Sequence, residues 1–328
     1  MTIVRRIVFG AAFMLAPLSA VSAQTAPAYP THTVTIVNPF TAGSVSDLLG
    51  RVLAEKLGAL WKQTVIVENR PGIAGTIGVA KSAPDGYTLM ATSNGHTIIT
   101  ALNKDLPIDP VKDFAGVSQI ASIPVVLIVM PALPPKSVKE LIALAKEKPG
   151  TLNFASAGLA SSTYIAGELF KQAAHIDITH VPFRGTPEQF TSIMRGDSQM
   201  SLMFLGAAVP FIQSGKVRAL AIATPARNAA LPDIPTFAEA GMPEYQYDSW
   251  FGIMAPAGTP APILKKISED IATVIKLPDV QARWQTIGAV AVVSTPEQFD
   301  AVIRSDTDRY GKLFKAAGGD AEIMRHAN

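Results

Sequence analysis

The chain of 328 residues has no cysteine. Disulfides and thiolate metal sites are therefore excluded, and stability must come from a buried core. Charge is sparse too, with Asp, Glu, Lys and Arg at 16% of residues against 48% hydrophobic ones. That balance excludes a disordered chain and calls for large cores. The formal net charge is only +2, and Arg5 and Arg6 account for that excess. The remainder is neutral, so there is no electrostatic footprint for nucleic acid or an anionic membrane. The histidines, His32, His96, His175, His180 and His326, are scattered, with no H-E-x-x-H helix and no cluster at ligand spacing; no metal and no cofactor is expected. His96 follows one of the loops singled out below and reads either as a ligand contact or as a satisfied structural histidine, the commoner use. There is no G-x-S-x-G elbow and no G-x-x-x-x-G-K-[ST] loop. A triad such as Ser161, His96 and Asp47 would have to be assembled in space, and nothing in the spacing asks for it, so no enzyme is expected.

Long apolar runs are confined to the N-terminus. Arg5 and Arg6 precede the run from Ile7 to Leu15, and Val21-Ser22-Ala23 supplies small residues, a pattern that predicts a signal peptide over residues 1–23, cut after Ala23, and export of the rest. The longest later stretch, Ile120 to Leu133, is interrupted by Pro124 and Pro131 and is too short to cross a bilayer.

What is present is a strand, a small-residue loop and a helix. Val34 to Val37 are apolar or β-branched and read as a buried strand. Pro39 and Gly43 end it in Asn38-Pro39-Phe40-Thr41-Ala42-Gly43-Ser44-Val45-Ser46-Asp47. Leu48, Leu49, Val52, Leu53 and Leu57 then recur on one helical face. Ser44 with Asp47 approximates a capping box, and Ser46 is a second possible cap. A helix start has N–H groups without internal partners and the positive end of the dipole, so this loop is either a candidate site for a carboxylate or phosphate or a plain strand-to-helix turn.

The alternation continues. Val65 to Asn69 reads as a strand, and Gly72, Gly75 and Gly78 as turn and helix start rather than a dinucleotide fingerprint. Tyr87 to Thr92 is a strand ending in Ser93-Asn94-Gly95-His96. Gly116 to Met130 is too long, and Pro124 interrupts it, so it reads as a crossing between two domains. Ser137 and Glu140 cap a helix over Val138 to Lys148. Leu152 to Ala155 is a strand running into Ser156-Ala157-Gly158-Leu159-Ala160-Ser161-Ser162-Thr163 and a helix over Tyr164 to Ala174, which repeats the opening unit. Ile178 to Phe183 ends at Arg184-Gly185, and Thr186-Pro187-Glu188-Gln189 predicts a helix with Thr186 as cap. Gln199 to Leu205 and Val217 to Ala223 read as strands, and Thr236 with Glu239 as the start of a short helix. Tyr247 to Met254 is the second crossing. Helices over Pro262 to Lys276, Val280 to Ile287 and Thr295 to Ala317 follow, with a strand at Ala289 to Val293 among them. The fold class is α/β, two domains joined by two crossing strands around a cleft, with lobe 1 over residues 29–121 and 250–328 and lobe 2 over 122–249. The cleft candidates are neutral hydroxyl and amide groups, Ser44, Ser93, Asn94, Ser156, Ser161, Ser162 and Thr163, with Arg184 either the cation that enters the cleft or a solvated surface residue.

These stretches resemble a family. The loop from Pro39 and Phe40 to Asp47, Val67-Glu68-Asn69-Arg70-Pro71-Gly72, Ala83-Pro84-Asp85-Gly86-Tyr87-Thr88-Leu89, Asn153-Phe154-Ala155-Ser156-Ala157-Gly158, Val181-Pro182-Phe183-Arg184-Gly185, Leu231-Pro232-Asp233-Ile234-Pro235-Thr236 and Ser249-Trp250-Phe251-Gly252 are similar, in order, to the Bug family of periplasmic receptors of tripartite tricarboxylate transporters. The resemblance implies a two-lobed, type II, Venus-flytrap periplasmic binding protein. It would be a monomer that closes on a small carboxylated solute and delivers it to a membrane permease. A sensory receptor of the same build and a secreted serine hydrolase are the alternatives. The implied ligand contacts are Phe40, Ala42, Gly43, Ser44, Asp47, Ser93, Asn94, Ser156, Ala157, Ser161, Ser162, Thr163, Phe183, Arg184 and Phe204. Three departures from the family pattern, Ser44 for a glycine, Leu159 and Ala160 for a polar residue and a glycine, and Met203-Phe204-Leu205 where acids or amides are usual, predict a monocarboxylate or dicarboxylate with an apolar or aromatic body.

Overall fold

The computed structural model describes residues 29–102, 105–159 and 161–316. The segment expected to be a signal peptide lies outside the described residues. From Val34 the chain alternates strand and helix: β1 (Val34–Asn38), α1 (Val45–Trp61), β2 (Val65–Asn69), α2 (Ile73–Ala80) and β3 (Thr88–Ser93). A 3-10 turn (Asn94–Ile98), α3 (Ile99–Leu102) and β4 (Phe114–Ile123) follow. β1 pairs in parallel with both β2 and β3, as strands joined by crossover helices must. Along α1, Leu49, Val52, Leu53 and Leu57 are buried while Leu48 is turned to solvent.

Pro124 then separates β4 from β5 (Val125–Val129), and the two strands belong to different sheets. The second lobe continues with α4 (Val138–Glu147), β6 (Asn153–Ser156), α5 (Ser162–Ala174), β7 (Thr179–Pro182), α6 (Thr186–Arg195), β8 (Met200–Phe204), α7 (Leu205–Gln213) and β9 (Arg218–Ile222). The chain returns through β10 (Ser249–Pro256) and ends in α8 (Ala261–Ile275), α9 (Pro278–Gln285), β11 (Val290–Ala291) and α10 (Pro296–Ala316). The first sheet has the order β11-β4-β10-β3-β1-β2 and the second β7-β6-β8-β5-β9. In each, one crossing strand runs antiparallel to its neighbours: β10 against β3 and β4, β5 against β8 and β9. The result is a two-lobed α/β molecule. One apolar cluster runs through both lobes, from Leu53 and Leu89 to Phe154 and Phe170. The opposite faces of the two sheets carry separate clusters around Phe190 and around Phe299.

Several local expectations need correction. Ser44 is the cap residue of α1 but makes no capping bond; its hydroxyl accepts from Asn38 Nδ2 at 3.2 Å. Ser46 lies inside the helix and donates to Asn38 Oδ1 at 2.6 Å. Thr186 is the first residue of α6, after an uncapped Gly185, and Gln189 points into the lobe, donating to the Ala155 carbonyl and Ser201 Oγ. Thr236 and Glu239 do exchange reciprocal bonds, but these close a turn and no helix follows. α7 had no counterpart in the reading of the sequence, because Gly206 and Pro210 interrupt its pattern.

Candidate functional site

The loops at the carboxyl ends of β1 and β2 are tied side by side. Arg70 N–H donates to the Asn38 carbonyl at 2.9 Å, and Gly72 N–H to the Pro39 carbonyl at 3.1 Å. Asn69 Nδ2 reaches the Phe40 carbonyl at 3.2 Å and Asp47 Oδ1 at 2.9 Å. Asp47 is buried behind the loop, where its Oδ2 accepts from Gly43 N–H at 2.9 Å and from Arg51 Nε at 3.0 Å. Burial raises its carboxyl, but bonds from Arg51, Gly43 and Asn69, with the Arg51 charge, outweigh that and hold the pKa below the ordinary value.

Across the cleft, the loop after β6 carries its own bonds. Ala157 N–H donates to Thr163 Oγ1 at 2.9 Å, and Gly158 N–H to Ser156 Oγ at 3.1 Å. Ser161 caps α5, accepting from Tyr164 N–H at 3.2 Å and donating to the Gly158 carbonyl at 2.6 Å. The lobes meet at the rim, where Thr41 Oγ1 donates to the Arg184 carbonyl at 3.4 Å. A Cβ at Gly185 would stand 2.3 Å from Thr41 Oγ1, so the Thr41 side chain would have to turn away from the Arg184 carbonyl.

Between the lobes lies a cavity of about 830 Å³, walled on one side by Pro39, Phe40, Thr41, Pro71, Gly72, Ile73, Thr76, Thr92, His96, Ile99, Leu102 and Leu106, and on the other by Ala157, Gly158, Leu159, Pro182, Phe183 and Arg184. Such a volume suits a small organic ligand. The wall is mostly apolar. Arg184 is its one cation, and no acid lines it among the described residues. The Arg184 guanidinium makes no ion pair among the described residues.

Of the implied ligand contacts, Phe40, Ala157, Phe183 and Arg184 line this cavity, and so does His96. The others stand elsewhere. Ala42 and Gly43 are exposed on the loop. Ser44 and Asp47 brace it from behind. Ser93 ends β3, buried. Asn94 and Ser162 bond each other at 2.5 Å. Ser156 Oγ lies 2.6 Å from His180 Nε2, and Ser161 and Thr163 close their own loop. Phe204 packs edge-on against Phe251 of β10, at 5.3 Å, and with Met203 and Leu205 it is buried in the core. The apolar character of the cavity comes instead from Ile73, Ile99, Leu102, Leu106 and Leu159. Ser161, His96 and Asp47 are each bonded to other partners and form no triad.

Two features of the site were passed over in the sequence. The first is the start of α2, where Gly72 adopts a positive φ of 88° and no side chain caps the helix. The N–H groups of Ile73 and Ala74 have no partner among the described residues, and Pro71, Gly72 and Ile73 line the cavity. The signal was available, since Val65 to Ile73 is again a strand, a Pro-Gly loop and a helix. The second is the pair Thr76 and Thr92, which stand in the cavity lining with His96, a histidine the sequence had offered either as a ligand contact or as a structural residue.

Two lobes with a reversed strand in each sheet, and a ligand-sized cavity walled by both, define a two-lobed solute-binding protein. The chain belongs to the tripartite tricarboxylate transporter family of receptors, whose sequence profile matches residues 49–318. It is 32% identical to BugT of Bordetella pertussis over 298 residues, covering 89% of this chain and 91% of that one. Among solved structures it superposes on the periplasmic binding protein BugD with a TM-score of 0.81 at 29% identity, over 89% of this chain and 99% of that one. An R. palustris protein solved with adipate gives 0.81 at 33% identity, over 88% and 98%. MatC from Rhodopseudomonas palustris, with bound malate, gives 0.80 at 33%, over 87% and 99%. No helix among the described residues is long and apolar enough to cross a membrane.

Proposed function

We propose that this protein is a periplasmic receptor that closes its lobes on a small carboxylated organic acid with an apolar body and presents it, as a monomer, to a membrane permease. The observation that carries the reading is the cavity of about 830 Å³, whose lining holds Arg184 and no acid among the described residues. An apolar wall with one cation favours an anion attached to an apolar skeleton. The bare start of α2 adds N–H donors and a positive dipole end to the same wall. The related proteins solved with adipate and with malate hold small carboxylated organic acids, of which adipate has an apolar body. In this reading the lobes divide as residues 29–123 with 249–328, and 124–248, because Ser122, Ile123 and Ser249, which the sequence had assigned to the second lobe, pair within the first sheet. Residues 1–23 export the chain.

Recognition here needs no covalent chemistry. In the open form Arg184 and the α2 donors sit on separate lobes, each solvated. An acid that touches both stabilises only the closed form, so binding shifts the population toward closure. Calorimetric titration with aliphatic, aromatic and dicarboxylic acids tests the reading. At least one apolar acid is expected to bind with negative heat-capacity change; a folded protein that binds none of them overturns it.

A further inference from the structure

Three polar groups in the cavity lining, the Thr76 and Thr92 hydroxyls and one ring nitrogen of His96, have no protein partner among the described residues. Thr92, near the end of β3, is 3% exposed, Thr76, in the second turn of α2, is 5% exposed, and His96 is 2% exposed. No described residue bonds either threonine hydroxyl. His96 Nε2 lies 2.9 Å from the Pro110 carbonyl. A carbonyl only accepts, so Nε2 carries a proton, and in the neutral ring Nδ1 is left with a lone pair. Burial keeps the ring neutral, lowering its pKa to about 4. Phe114 packs at right angles to the ring, 4.6 Å away, and supplies no donor.

Buried polar groups are ordinarily bonded, and a bare one is costly. All three belong to the cavity lining, so their partner, water in the open cavity or a group of the solute, comes from the cavity. We propose that His96, Thr76 and Thr92 form a second polar subsite that receives a hydroxyl group, making the solute a hydroxylated organic acid. This deepens the carboxylate-receptor reading and rests on it. The chemistry selects among ligand groups. A carboxylate has no proton for Nδ1 and would set its charge against a lone pair. An ammonium would find a donor's welcome at Nδ1 but no acid among the described lining residues to offset its desolvation. A hydroxyl donates to Nδ1 and accepts from a threonine, so it can satisfy two groups at once. The carboxylate then falls to Arg184 and the start of α2, which offer donors only.

The test is a calorimetric titration of matched acids: benzoate with its ortho, meta and para hydroxy forms and terephthalate, and hexanoate with its hydroxylated forms and adipate. At least one hydroxy acid is expected to bind about tenfold tighter than its unsubstituted parent. In His96→Phe the ratio between that hydroxy acid and its parent should fall to about one. Thr92→Val, which keeps shape and removes only the hydroxyl chemistry, should reduce the ratio severalfold and serves if the histidine variant does not fold. Parent acids or dicarboxylates binding as tightly as every hydroxylated form would overturn the subsite while leaving the receptor reading intact, as would a ratio unchanged in Thr92→Val and His96→Phe. No binding by any acid overturns both.

Discussion

Ser162 Oγ donates to Asn94 Oδ1 at 2.5 Å and so joins the start of α5 in one lobe to the end of β3 in the other. Asn94 Nδ2 in turn donates to the Tyr247 hydroxyl at 2.9 Å, and that hydroxyl to the Ser162 carbonyl at 2.6 Å. The three bonds close a ring in which each donor is used once. Asn94, Ser162 and Tyr247 are all buried, and burial holds the Tyr247 phenol well above its ordinary pKa. Asn94→Ala would leave the Ser162 hydroxyl without its acceptor and the Tyr247 hydroxyl without its donor, and a loss of about 2 kcal/mol of stability is expected. Chemical denaturation measures it. A double-mutant cycle with Ser162→Ala should show coupling between the two positions, and strict additivity would contradict the ring.

Gly185 and Thr41 set how closely the lobes approach. The backbone at Gly185 is extended, with φ 173°, so any residue can adopt it, yet a Cβ there would collide with Thr41 Oγ1 across the cleft. Gly185→Ala should therefore leave unfolding stability within about 0.5 kcal/mol, as ordinary surface changes do, while weakening ligand affinity. Thr41→Ala in the same chain should restore part of that affinity, as titration of the single and double variants would show.

Removing the Arg184 charge tests the anion reading. Arg184→Met keeps length and loses the guanidinium, and a bond to a charged ligand oxygen is worth about 1.5 to 3 kcal/mol. A drop in affinity of about tenfold or more is expected for any carboxylate. Arg184→Lys should recover only part of it, because the ammonium cannot present two parallel donors. Affinity that is the same in all three proteins would place the carboxylate elsewhere.

His96 should make the protein acid-sensitive. Its folded pKa is about 4 against about 6.5 in the unfolded chain, so between those values the unfolded state binds the extra proton. Stability from this group is therefore complete above pH about 6.5 and is lost as pH falls toward 4, by about 3 kcal/mol in all. Comparing the pH dependence of denaturant midpoints for the protein and for His96→Gln isolates the effect. A difference that does not change between neutral and acid pH would contradict a neutral buried ring.

Much of the architecture could be read from period and punctuation. The strands β1 and β2 announce themselves by β-branched runs that end at Pro or Gly, β3 by an apolar run that ends at Ser93, and Pro124 marks the crossing because no central strand tolerates it. The site was harder to read because short-range pattern does not say which polar groups are already spent. Ser44, Asp47, Ser161 and Thr163 look available beside a helix start, yet each is consumed within its own loop or behind it. Their task is to hold the loop shape. Ser44→Ala is accordingly expected to cost about 1 kcal/mol of stability through the lost Asn38 bond, visible as a lower denaturation midpoint. Conversely Thr76 sits in sequence between Gly75 and Ile77 with no motif around it, and His96 ends a small-residue loop without a sign of whether its ring is already spent. Only the pairing of β1 with β2 and of β1 with β3 brings α2 and the Asn94–Ile98 turn to one wall.

Pro124 has a mechanical consequence. Its carbonyl is held by Leu205 N–H at 2.8 Å, so it travels with the second lobe, while Ile123 is paired with Ser249 in the first sheet. Rotation of one lobe against the other on this side must therefore be taken up at the junction of these two residues. The pyrrolidine ring locks φ of Pro124, the peptide bond is planar, and the residue before a proline is confined to a ψ window of roughly +120 to +160°. The joint keeps two rotatable bonds, ψ of Ile123 within that window and ψ of Pro124, so stops are built into its covalent geometry. It behaves as a door hinge of limited swing rather than a loose tether.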